Sequence, residues 1–155
     1  MAKPALIESL ESRIGEEIGV SDWFLVEQKA IDAFGEVTDD VDPMHNDPEW
    51  GRAGPFGGTI AHGMFTLSLL PRFARELGFP VLTDETAHAI NYGFDRVRLI
   101  DPVPVGGRVR NRMVLDEVRE KGAGRYLVRT TNTIECEGGT KPCVVAEWLS
   151  LYVYT

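Results

Sequence analysis

In the stretch Asp40-Val41-Asp42-Pro43-Met44-His45 a carboxylate and an imidazole stand five positions apart on a loop stiffened by proline. Such a pair can hold one water between them and move its protons, which is general acid–base chemistry. Taken alone the pair has a second reading, a loop acid beside a surface imidazole. Downstream, Phe56-Gly57-Gly58-Thr59-Ile60-Ala61-His62-Gly63-Met64 leads from the loop into the first turn of an apolar helix. N–H groups in a first turn have no intrahelical acceptor, and the helix dipole favours negative charge there. Gly63 has no side chain to shield its N–H, which can therefore donate to an oxygen that gains charge during a reaction. Close packing against a strand is the alternative use of that glycine.

Metal binding is the competing chemistry, because His45, Asp47 and His62 are all plausible ligands. No HxxxH or CxxC spacing supports it, so no metal is expected. Cys136 and Cys143 flank a Glu-Gly-Gly-Thr-Lys-Pro turn and read either as two reduced thiols or as a bridge across a hairpin.

Several elements must position these groups. Ala5 to Glu17 has Leu6, Leu10 and Ile14 at four-residue steps, the spacing of a short amphipathic helix. Val20 to Val26 reads as extended, and Glu27 to Val37 returns to helical spacing through Ala30, Ile31, Phe34 and Val37. Asp39 to Gly58, rich in proline and glycine, is mostly irregular, with a short helix capped by Asp47-Pro48. From Thr59 to Leu77 the chain is apolar on nearly every helical face, ended by Gly78 and Pro80, which predicts a buried helix. Four strands follow, roughly Ala87 to Leu99, Arg108 to Glu120, Arg125 to Glu137 and Cys143 to Tyr154, separated by Pro- and Gly-rich turns. Their alternation is imperfect, so strand type is clearer than register. A helix apolar all round beside a long antiparallel sheet must lie in the concave face of that sheet, an α+β arrangement of the hot-dog type.

The totals narrow the partners. With 155 residues, 43% hydrophobic and 26% charged, the chain suits one folded domain spanning 1–155. Its 24 acidic against 16 basic residues give a formal charge of -8, which repels a phosphate backbone, so no nucleic acid is expected. No apolar run approaches the roughly 20 residues needed to span a bilayer, and Met1 to Leu10 does not read as a targeting segment. No membrane partner is expected, and the expected location is cytoplasmic.

Asp40, Pro43 and His45, followed by His62-Gly63 at the start of a central helix, resemble the paired elements of the MaoC-like, (R)-specific enoyl-CoA hydratases of the hydratase-2 class. Likeness continues along Ile90-Asn91-Tyr92-Gly93 and Pro102-Val103-Pro104-Val105-Gly106, especially to the short, nodulation-protein-N-like members. The resemblance implies a hot-dog fold with a long central helix and hydration of an enoyl thioester. It further implies Asp40 and His45 as the catalytic pair, Gly63 as oxyanion donor, and Asp42, His62, Asn91 and Tyr92 bordering the acyl-CoA substrate. No cofactor is implied, since coenzyme A is part of the substrate; a homodimer is.

This sequence departs from the family at Asp39 and Asp42, where Gly and Asn are usual. Three carboxylates within four residues should disfavour one another's charged forms, so Asp42 is expected to tune Asp40. Two rival functions remain: a thioesterase of the same fold, recognisable by free thiol release, and a non-catalytic acyl-thioester-binding subunit. Arg96 and Arg98, on one strand face, either meet coenzyme A phosphates or form a solvated surface.

Overall fold

The computed structural model describes residues 2–79 and 87–154. Pro80, expected to end the central helix, lies outside them. Helix α1 spans Ala5–Glu11, shorter than its pattern suggested, because the chain turns at Gly15 with a positive φ of 89° and enters strand β1, Glu17–Val20. Strand β2, Phe24–Leu25, and helix α2, Gln28–Thr38, follow.

The two catalytic candidates lie around two short helices, α3 (Pro43–Asn46) and α4 (Pro48–Ala53), each with proline in its first turn and an aspartate at its N-cap. A proline there loses no helical bond, and the aspartate satisfies N–H groups that would otherwise be orphaned. Asp42 Oδ1 accepts from Met44 N at 2.9 Å, and Asp47 Oδ1 accepts from Glu49 and Trp50.

The central helix is two pieces, α5 (Gly63–Ser68) and α6 (Leu70–Glu76), where the periodicity suggested one. Pro71 explains the break. It has no N–H for the carbonyl one turn back, and its ring crowds that carbonyl, so the chain tightens through a Leu69 N to Thr66 O bond before resuming. Phe65, Leu70 and Phe73 from this pair are buried in one cluster with Met113, Val128 and Tyr152 of the sheet.

Strands β3 (Ala87–Leu99), β4 (Arg108–Gly122), β5 (Arg125–Cys136) and β6 (Pro142–Tyr154) match their sequence-based ranges closely. The sheet is antiparallel in the order β1-β4-β5-β6-β3, with β2 also pairing β4. Helices packed on an open antiparallel sheet make this an α+β hot-dog fold.

Alternation that looked imperfect is in fact regular once two polar residues are placed inside. On β4 the buried positions are Val109, Asn111, Met113 and Leu115. Asn111 tolerates burial because its Nδ2 donates to Asn132 Oδ1 at 2.8 Å, and Asn132 Nδ2 donates to Thr130 Oγ1 at 2.9 Å. A hydrophobicity pattern cannot show such a pair, since each asparagine reads as outward-facing until the other is beside it.

Candidate active site

The site is assembled from three segments. Asp40 follows α2 directly, and its N–H donates to Gly35 O at 2.9 Å. Gly35 is needed for that approach: a Cβ there would come within 2.8 Å of both Asp40 O and Asn46 Oδ1. Asp39, between them, takes a left-handed φ of 57° as the α2 C-cap. Aspartate tolerates this region, whereas glycine, usual here in the resembling family, occupies it freely.

The second segment carries His45, 8% exposed. Its Nδ1 lies 2.7 Å from Ile60 O. A carbonyl can only accept, so Nδ1 bears the hydrogen and Nε2 keeps a lone pair. Gln28 Nε2 donates to His45 O at 2.8 Å and to Asp32 Oδ1, Asn46 Nδ2 donates to the same Asp32 Oδ1, and Thr59 Oγ1 donates to Gln28 Oε1. This network ties the His45 loop to α2 and to the third segment. Gln28, Asp32 and Asn46 did not stand out in the sequence, because no local pattern links Gln28 to a residue seventeen positions away.

The third segment is Thr59 to Gly63. Ile60 N donates to Met44 O, Ala61 N donates to Val103 O, and Val105 N donates to Thr59 O. The Pro102-to-Gly106 stretch singled out in the sequence therefore supplies an extended partner that holds the entry to α5 straight. His62 follows, 2% exposed, and Gly63 opens the helix. A Cβ on Gly63 would sit 2.5 Å from Leu99 Cδ1, so this glycine packs closely against the end of β3.

These segments bring Asp40, His45 and His62 together: one donor atom from each lies within 4.8 Å of the others. Atoms of Asp40 and His45 separated by this much can share one water, each at ordinary hydrogen-bond length. The same set could be asked to hold a metal. Ligands around a tetrahedral zinc stand roughly 3.3 Å apart, given metal–ligand bonds of about 2.0–2.1 Å, so the three would have to close in. His62 Nε2 would also have to release the Asp40 backbone oxygen 2.8 Å away. The cluster fits a water better than an ion.

His45 and Gly63 face a cleft of about 400 Å³ whose other walls include Phe56, Ile60, Leu99 and Cys143. Its surface is mainly apolar. Burial pushes the Cys143 thiol up to about 12, so that wall stays neutral at physiological pH, and burial raises Cys136 as well. Both cysteines are free thiols.

The remaining candidates sit elsewhere. Asp42 is exposed and caps α3 through one carboxylate oxygen, a duty that asparagine performs equally well. Asn91 lies against a second cleft, of about 500 Å³, between α6, β3 and β6, where its Oδ1 accepts from Trp148 Nε1 at 2.6 Å. Tyr92 is 53% exposed at a bulge in the β3–β6 ladder. Neither borders the His45 cleft within one chain. Arg96 and Arg98 are exposed on β3, with Arg98 Nη1 donating to the neighbouring Val97 carbonyl.

Residues 9–137 match the family model described as a MaoC like domain. The chain is 42% identical over 147 residues to a 3-hydroxyacyl-thioester dehydratase Z of Mycobacterium tuberculosis, covering 95% of each. It is 41% identical to nodulation protein N of Rhizobium leguminosarum bv. viciae, over 94% of this chain and 89% of that one. Among solved structures, the monoamine oxidase regulatory protein from Archaeoglobus fulgius superposes with a TM-score of 0.76 at 25% identity, over 94% of both chains. A family match over most of the chain, together with relatives of this identity along nearly their whole length, makes this protein a member of the MaoC-like dehydratase family.

Proposed function

We propose that this protein is an (R)-specific enoyl-CoA hydratase, working equally as a 3-hydroxyacyl-CoA dehydratase, since one site must catalyse both directions. The observation that carries this reading is the pairing of the Asp40 carboxylate with the His45 imidazole within reach of one water, beside the cleft that Gly63 opens.

In this proposal the hydrogen bonds suggest the order of steps. An enoyl thioester lies in the apolar cleft with its carbonyl oxygen on the Gly63 N–H. A water is held between the Asp40 carboxylate, which only accepts, and the lone pair of His45 Nε2. His45 takes one proton as the water oxygen attacks carbon three, and the electron pair of the double bond moves toward the thioester, making an enolate. The Gly63 N–H meets that charge, a contribution of about 3 kcal/mol for such a donor. The imidazolium then returns the proton to carbon two, so the water is divided across the bond and the enzyme is restored. Ile60 O holds the Nδ1–H of His45 throughout, which leaves Nε2 as the atom that takes and returns the proton. The (R) configuration and the coenzyme A carrier come from the family resemblance, to which the name of the mycobacterial relative, a dehydratase of 3-hydroxyacyl thioesters, adds support.

The working unit in this proposal is a homodimer. Among the described residues strand β3 pairs only with β6, leaving its other edge open, and it exposes Ile90, Tyr92 and Phe94. An open apolar edge is a template for a second strand, and a second copy offers the same edge.

Crotonyl-CoA tests the activity directly. Loss of absorbance at the enoyl-thioester band without release of free thiol, abolished in Asp40→Asn, is the expected result, with chiral chromatography identifying the (R)-3-hydroxy product. Thiol release would mean a thioesterase, and binding without turnover would mean an acyl-thioester-binding subunit.

A further inference from the structure

His62 touches both members of the pair without lining the cleft. Its side chain is 3% exposed. The Nε2 atom lies 2.8 Å from the backbone oxygen of Asp40, an acceptor, so the ring is in the Nε2–H tautomer and donates across 22 positions of chain. Asp40 Oδ2 stands farther off, at 3.9 Å from the same nitrogen. The other nitrogen, Nδ1, is buried with no hydrogen-bond partner among the described residues. A ring held by a single directional bond needs its plane set by packing. Here Phe34 lies 5.1 Å away between centroids, and the His45 ring lies 3.9 Å away, tilted by 32°.

We infer that His62 is a positioning residue that sets the separation of Asp40 from His45, and that it does not contact substrate. This rests on the reading of Asp40 and His45 as the hydrating pair. Two contacts of one side chain support it: the Nε2–H bond pins the backbone of Asp40, and the ring face packs on that of His45. Misplacing a reacting group by about 1 Å costs on the order of a hundredfold in rate.

Two variants separate the bond from the packing. His62→Gln keeps an amide donor at about the reach of Nε2, and His62→Met keeps the length without the donor. With crotonyl-CoA, His62→Met is expected to lose roughly a hundredfold in kcat, with KM within about twofold of wild type. His62→Gln is expected to regain at least about tenfold of that loss. Nitrogen-15 NMR of the wild-type imidazoles should show His62 protonated on Nε2 and His45 on Nδ1, and the His45 signals should move in His62→Met. Unchanged kcat in His62→Met, no recovery in His62→Gln, or a rise in KM with kcat intact would each overturn the assignment. If wild type fails to hydrate crotonyl-CoA, the functional reading falls by itself. The NMR arm then decides His62 alone, an Nδ1–H tautomer or unmoved His45 signals refuting its role.

Discussion

The loop running from Asp39 into Gly63 and the edge strand β3 both carry residues that the family resemblance assigns to one site, yet they differ in how complete they are. In the loop the backbone of Asp40 is bonded to Gly35 and His62, and His45 to Gln28 and Ile60, all within the chain. On β3, Tyr92 is half exposed, Ile90 is 50% exposed, and Asn91 faces a different cleft from His45. A catalytic geometry that must be accurate to fractions of an ångström is built from short, redundant connections, whereas a binding surface can be left for a second chain to finish.

That contrast breaks most readily at the loop. Asp40→Asn and His45→Ala should each lower turnover of crotonyl-CoA by about a hundred- to ten-thousand-fold; thermal unfolding should stay close to wild type in Asp40→Asn, whose side chain is exposed, and fall in His45→Ala, which removes a buried ring and its bond to Ile60 O. Normal turnover in either variant would remove the pair from the mechanism. Gly35→Ala tests the connection beneath them. Its Cβ meets the Asp40 backbone, so overpacking of about 1–3 kcal/mol should outweigh the roughly 1 kcal/mol that alanine gains in a helix. Both kcat and unfolding temperature should fall; an unchanged kcat would mean that Asp40 is placed by something other than this contact.

The edge strand should respond differently. Phe94→Glu puts a charge on the open edge and is expected to convert a dimer to monomers in light scattering, with turnover lost in proportion to the dimer. A fully active monomer would show that the loop needs no second chain. The smallest effect belongs to Asp39→Gly, which relieves a left-handed aspartate and should raise stability in urea by about 0.4–1 kcal/mol, with kcat unaltered. A fall in stability would show that the Asp39 side chain holds the loop.

Composition and periodicity were sufficient for the four long strands, for α2 and for the Asp47-capped turn, because each rests on local preferences that repeat along a few residues. Asp40, His45 and Gly63 were legible as candidates because their spacing, together with glycine and proline, marks a loop leading into a helix. Tertiary structure decided what no local preference contains. It buried Asn111 against Asn132 and recruited Gln28 to the loop. It also turned His62 inward onto Asp40 and sent Asn91 to another cleft. The physical reason is the same in each case: a polar side chain reveals its role only through its partner, and those partners lie far away along the chain.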